Sequence, residues 1–156
     1  MILYLDFDGV LHPGDVYLQD GAPRLMVHGA LFMWAPILET ALLACPEVEI
    51  VLSTSWVQKL GLEFAQAALT PTLRRRVVSA TWTTEEAAQY EQSTRYAQIA
   101  RHAENAKLAD ADWFAIDNDD FGWPHEKREQ LIRCHSDLGL SEPRVQRRLY
   151  EKLDLK

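Results

Sequence analysis

The sequence predicts an α/β fold: a three-layer, Rossmann-like parallel sheet of about five strands, with helices on both faces. Three observations carry this expectation. Short apolar runs alternate along the chain with stretches whose apolar residues recur at helical spacing. The first run, Ile2–Leu5, ends abruptly in Asp6 and Asp8, with Gly9 following. A later run, residues 113–116, ends in Asp117-Asn118-Asp119-Asp120. In such folds the carboxyl ends of the strands open on one crevice, so two acidic strand ends imply one site.

Taken in order, Ile2–Leu5 reads as a buried first strand. Residues 12–33, rich in Gly, Pro and Asp, read as irregular. Residues 34–44 carry apolar side chains at helical spacing, with Pro36 in the first turn, where a missing N–H costs little. Pro46 follows that helix, and residues 48–52 form the second strand. A second helix is expected over 57–69 and a short third strand over Val77–Ala80. A Thr/Glu/Gln-rich connector then leads to a long helix over 95–108. Residues 113–116 make the fourth strand, 131–134 a fifth, and 142–153 the last helix. No repeat, low-complexity segment or linker interrupts this pattern, which predicts a single domain over the 156 residues.

Composition narrows the function classes. A chain of this length buries roughly 70% of the surface its unfolded form exposes. Sixteen Lys and Arg against 23 Asp and Glu give a net charge of −7, which disfavours broad attraction to nucleic acid or to anionic membranes. No apolar stretch is long enough to span a bilayer, and the N-terminus lacks the basic start and small-residue cleavage site of a signal peptide. Cys45 and Cys134 lack metal-type spacing, so reduced core thiols in a cytoplasmic protein are expected.

The chemistry concentrates at strand ends. Side chains alternate along a strand, so Asp6 and Asp8 lean to one side as the first strand gives out. Two carboxylates crowded at the mouth of an apolar sheet repel and lose hydration, unless a cation sits between them or one holds a proton. An Asp-Gly turn accounts for Asp8-Gly9 but not for Asp6 at the end of an apolar strand. Asp117 and its neighbours end a strand in the same way, and paired carboxylates with water suit Mg²⁺. After the second strand come Ser53-Thr54-Ser55-Trp56. These hydroxyls either meet a phosphate oxygen or simply cap a helix, and the cap is favoured on the segment alone.

Asp6-Phe-Asp8-Gly-Val-Leu, then a hydrophobic-Ser/Thr step, then a basic residue, then an acidic strand end resembles the motif order of the haloacid dehalogenase (HAD) superfamily. More narrowly, Ser-Thr-Ser-Trp and Ile-Asp-Asn-Asp-Asp-Phe resemble the small HAD domains linked to RNA-repair proteins. The resemblance implies a Mg²⁺-dependent phosphatase working through an aspartyl-phosphate. Asp6 would be the nucleophile and Asp8 the general acid and then base. Mg²⁺ would rest on the Asp6 carboxylate, the Asp8 carbonyl and Asp117, with Asp119 preferred over Asp120 as a second carboxylate acting through water. Thr54 would bind a phosphoryl oxygen, with Ser55 as the fallback, and Gly9, Ser55 and Trp56 would face the substrate. Two departures stand out. Arg95 occupies the place where a lysine is usual, with Arg101 and Lys107 as competitors, and Asn118 stands where a second Asp is common.

Substrate choice in that superfamily follows cap insertions, and neither interval here holds a full cap. An open crevice suits a large phosphorylated substrate, a nucleic-acid end being one candidate, or a small one shared with a partner. Trp56, Trp82 and Trp123 each follow a strand, and core packing or a simple rim contact is the favoured expectation for all three over stacking on a base. The runs Arg74-Arg75-Arg76 and Arg144, Arg147, Arg148 read as solvated faces rather than phosphate contacts. His12, just past the first motif, could reach substrate, but a loop histidine without a role is the expected outcome.

Overall fold

The computed structural model describes residues 1–83 and 93–155. The chain starts with β1 (Ile2–Leu5), a hairpin of β2 (Val16–Gln19) and β3 (Ala22–Leu25), then α1 (Ala35–Leu42) and β4 (Glu49–Leu52). Three short helices follow, α2 (Ser55–Leu60), α3 (Leu62–Ala68) and α4 (Pro71–Arg74), and then β5 (Val77–Ala80). The second half holds α5 (Arg95–Asn105), β6 (Trp113–Asp117), β7 (Leu131–Arg133) and α6 (Pro143–Lys152). The connector expected before α5 falls largely on residues 84–92, outside the described residues.

The five expected strands form one parallel sheet in the order β5-β4-β1-β6-β7. With β1 at the centre, its residues alternate between two cores. Leu3 and Leu5 join Ile50, Leu52, Phe114 and Ile116 on the face covered by α1, α2 and α6. Tyr4 joins Val51 and Ala115 on the face covered by α5, through Ile99 and Ala103. Burial on both faces is why these strands read as continuous apolar runs. Each fully buried Leu, Ile or Phe side chain contributes about 1.5–3 kcal/mol. Cys45 and Cys134 are free and buried. Among the described residues no helix is long and apolar enough to cross a membrane.

Two sequence expectations are corrected. The segment 12–33 is not wholly irregular, because it holds the β2–β3 hairpin, paired antiparallel from Val16↔Leu25 to Gln19↔Ala22. Asp20 and Gly21 make its turn with positive φ at both positions, +52° and +76°, as a two-residue hairpin loop requires. Pro23 within β3 and the weak alternation of both strands hid it; a two-stranded ribbon tolerates proline at its edge. The single helix expected over 57–69 is two. Gly61 adopts φ 91° and ψ 157°, which breaks the helical path and separates α2 from α3.

Candidate active site

Backbone hydrogen bonds carry the sheet ladder one residue beyond the strands and so fix the site residues. Asp6 N–H donates to the Ile116 carbonyl (3.2 Å), Ser53 N–H to that of Leu5 (2.8 Å) and Cys134 N–H to that of Asp117 (2.9 Å). Asp6 and Asp117 are thereby delivered side by side at the carboxyl edge, 4% and 1% exposed. Both carboxyl groups lie 3.6 Å from Arg95, and two buried carboxylates so placed cannot both ionise cheaply without a cation. Among the described residues Asp117 Oδ2 is a buried oxygen with no hydrogen-bond partner. Burial, and then the neighbouring carboxylate, push Asp117 well above the usual range. Burial also raises Asp6, against the pull of Arg95.

Arg95 is the first residue of α5, whose N-cap Thr94 accepts from Ala97 N–H at 3.1 Å. Its Nη1 lies 3.6 Å from Asp6 Oδ1 and its Nε 3.6 Å from Asp117 Oδ2. Of the three basic candidates it is therefore the one set against the carboxylates. Arg101 donates to the Thr81 carbonyl (3.2 Å), and Lys107 lies beyond the far end of α5, exposed.

Asp8 faces a different environment. Its Oδ1 accepts from His12 Nε2–H (2.9 Å) and from Trp56 Nε1–H (2.9 Å). Gly9 follows at φ +76°, and a Cβ there would come within 2.6 Å of the Asn118 amide, so only glycine fits. Asn118 satisfies its neighbours with its amide oxygen accepting from Ser136 Oγ (2.8 Å) and its NH2 donating to Asp6 Oδ2 and to the Asp8 carbonyl (3.2 Å each). Asp119 N–H donates to Asp117 Oδ1 (2.9 Å), while the exposed Asp119 carboxylate accepts from Phe121 N–H (2.8 Å). Asp120 pairs with Arg128 and Arg133.

Thr54 is the N-cap of α2, its Oγ1 accepting from Trp56 N–H at 3.3 Å, as the cap expectation had it. It also lines a small cleft with Ser55, Gln58, Trp82, Arg95 and Gln98. Ser55 borders a second, larger cleft of about 230 Å³ between the hairpin and α2, where Asp8 meets Val16, Tyr17, Leu18, Trp56 and Lys59. Trp56 and Trp123 are buried, as expected for tryptophan, yet Trp56 also donates into the site. The arginine runs are not simply solvated faces. Arg74 and Arg76 cap carbonyls, of Gln66, Ala67 and Leu69 for the first and of Leu42, Cys45 and Val48 for the second. Arg144 pairs with Glu142, and Arg148 with Glu129 and Glu151.

Of the residues that converge here, His12 and Ser136 were not expected as participants, and Trp56 was expected to face the substrate rather than to donate to Asp8. His12 is fully buried, not a roleless loop residue, and touches Asp8. The indole N–H of Trp56, in the first turn of α2, and the hydroxyl of Ser136, in the loop after β7, reach the site from segments far apart in the chain.

Among the described residues no group of three or more His, Cys, Asp or Glu side chains forms a metal cage. The donor set nevertheless fits a hard cation. Mg²⁺ is commonly held by one or two carboxylates with water and substrate phosphate, and Asp6 with the unpartnered Asp117 Oδ2 provides such a pair.

A parallel Rossmann-like sheet with an aspartate pair at its carboxyl edge and no large cap defines the small, phosphatase-like hydrolase domains of the HAD class. The chain belongs to the family described as the HAD domain in Swiss Army Knife RNA repair proteins, whose profile matches residues 2–145. No curated protein and no solved structure matches it. HAD superfamily members generally use Mg²⁺.

Proposed function

We propose that the protein is a Mg²⁺-dependent phosphomonoesterase that works through an aspartyl-phosphate on Asp6. The observation that carries this reading is the pair of buried carboxylates, Asp6 and Asp117, at the ends of neighbouring strands and each 3.6 Å from Arg95. Such a costly arrangement is retained where charge is handled. Asp6, Asp117 and the Asp8 carbonyl would hold Mg²⁺, which supplies positive charge that lets a carboxylate approach a phosphoryl group.

An Asp6 carboxylate oxygen attacks phosphorus in line, and the bond from phosphorus to the leaving oxygen breaks. Asp8 gives its proton to that oxygen, so the product leaves as an alcohol. Arg95 and the Thr54 hydroxyl stabilise the transferring oxygens. Asp8, now ionised, takes a proton from water as the water oxygen attacks phosphorus. The bond to Asp6 then breaks, inorganic phosphate departs and both aspartates are restored.

The leaving group would lie in the cleft between the hairpin and α2, which Asp8 borders. With no large cap over it, a polynucleotide end is a candidate substrate, in keeping with the family's link to RNA repair. The two buried free thiols suit a reducing, cytoplasmic setting.

A second reading, a phosphate-binding module with weak or no catalysis, is favoured by one observation. The Asn118 NH2 points at Asp6 Oδ2 and the Asp8 carbonyl, two of the oxygens a cation would use. Phosphate release separates the two readings. A panel of 5′- and 3′-phosphorylated oligonucleotides, mononucleotides, sugar phosphates and an aryl phosphate is assayed with Mg²⁺ and with chelator, wild type beside Asp6→Asn. Mg²⁺-dependent turnover lost in the variant supports the enzyme. No turnover, with Mg²⁺ still raising the melting temperature, supports the binding module.

A further inference from the structure

Two residues that the catalytic scheme leaves unused, His12 and Trp56, converge on one atom. His12 Nε2 and Trp56 Nε1 each lie 2.9 Å from Asp8 Oδ1. An indole nitrogen can only donate. The imidazole is set by its other nitrogen: His12 Nδ1 accepts the Phe32 N–H at 3.0 Å, so the ring proton sits on Nε2 and is given to Asp8. Both rings are held in place. His12 is fully buried and Trp56 is 4% exposed. Phe32 packs edge-on against both, with ring centroids 4.9 Å from His12 and 5.3 Å from Trp56, and Phe7 packs against Trp56 at 5.4 Å. The backbone closes the arrangement, since Gly9 N–H donates to the His12 carbonyl at 2.9 Å.

We propose that His12 and Trp56 are positioning residues that clamp one oxygen of Asp8, so that the proton it transfers is carried on the other oxygen. This rests on the phosphatase reading of the site. An oxygen that already receives two N–H donors has both lone pairs occupied, and a proton placed there would point at hydrogen. The two carboxyl oxygens are chemically equivalent. What the clamp fixes is therefore the plane of the group and the side on which the acidic proton resides. Asp8 borders the cleft in which the leaving group is expected, so the outward oxygen is the one that can serve it. Holding a proton donor in one geometry is a recognised part of general-acid catalysis.

The test uses leaving groups, which distinguish a positioning role from a merely structural one. Wild type, Trp56→Phe, His12→Phe and His12→Gln are assayed with Mg²⁺ on p-nitrophenyl phosphate and on an alkyl phosphate. The phenolate leaves without a proton and the alkoxide needs one. Trp56→Phe keeps the ring and removes the donor. It should lower kcat/KM, which reports the step in which the leaving group departs, by at least about tenfold more on the alkyl phosphate than on the aryl phosphate. His12→Phe should do the same, and His12→Gln, whose amide can replace the Nε2 donor, should recover part of the loss. Equal losses on both substrates, or no loss on either, would overturn the proposal.

If the wild type turns over neither substrate, the phosphatase reading fails by itself, and the clamp is decided by NMR. In Asp8→Ala, the Trp56 indole N–H and the His12 Nε2–H should both shift and exchange faster with solvent. If neither resonance moves, the clamp does not exist.

Discussion

Asp6 and Asp8 stand two residues apart on one loop and meet opposite surroundings. Asp6 is buried against another carboxylate, with Arg95 as counter-charge at 3.6 Å. Asp8 is a quarter exposed and receives two N–H donors on one oxygen. On the Asp6 side the fold concentrates negative charge and, among the described residues, leaves Asp117 Oδ2 without a donor; on the Asp8 side it aims two donors at one oxygen. The difference teaches that alternation along a strand places side chains, while the elements that close around them decide their chemistry. A nucleophile that must ionise beside a phosphate needs positive charge, and a proton carrier needs a fixed plane.

The sharpest way to break the contrast is Asp6→Asn. Phosphate release in Mg²⁺ should fall by at least roughly 10³-fold, as expected for a missing nucleophile. In chelator the same variant should melt at a higher temperature than wild type, because it relieves a carboxylate pair. A lower melting temperature would show that the pair is not strained.

Arg95→Gln comes next. Removing the counter-charge should reduce turnover roughly a hundredfold, the scale of losing one stabilising donor. Arg95→Lys should restore part of it, since it keeps charge but loses the fork geometry. Full activity in Arg95→Gln would assign the basic role elsewhere.

Acidity sharpens the contrast without any substitution. Burial first, and then the neighbouring carboxylate, hold Asp117 well above the usual range, while burial raises Asp6 against the pull of Arg95. Above the unfolded carboxylate value of about 4, and up to those raised values, the native state binds more protons than the unfolded state. Stability contributed by this pair therefore falls as pH rises through that window. The metal-free protein should melt higher near about pH 5 than near about pH 8, with a shallower slope in Asp6→Asn. Mg²⁺ should flatten the wild-type slope by binding the ionised pair. A rise in melting temperature towards alkaline pH in chelator would contradict this.

The smallest effect is expected from Gly9→Ala, which touches both sides at once. The φ of +76° and the 2.6 Å approach to the Asn118 amide should cost roughly 1–3 kcal/mol in denaturant unfolding. The contacts of the Asn118 NH2 with the Asp6 carboxylate and the Asp8 carbonyl should loosen together.

Asp6, Asp8, Asp117 and the parallel sheet were legible because each is a local signal, an apolar run ending in an acid. Arg95 was legible as a position one helix upstream of Asp117, but its choice over Arg101 and Lys107 needed the direction in which α5 enters the site. Gly61 carried its signal openly, since glycine punctuates helices, and the apolar spacing on either side of it masked the break. The Asp20-Gly21 turn was equally visible and was obscured by Pro23. His12 and Ser136 were not legible as site residues, and Trp56, expected to face the substrate, was not legible as a partner of Asp8. Their contacts join segments that only the tertiary path brings together, and a buried histidine in a loop looks the same in sequence whether or not it holds a carboxylate.

The central place of β1 also bears on how the chain comes to be assembled. Ile2 pairs with Glu49 on one side and with Trp113 on the other, so the strand that leads into Asp6 precedes both of its partners in the chain. During synthesis its apolar residues must wait, unpaired, until most of the sheet has been made. Such distant pairing slows folding and lengthens the exposure of a sticky segment. The aspartates that follow β1 thus serve a second purpose at that stage: as charges flanking the apolar run, they discourage it from joining another chain before β4 and β6 arrive.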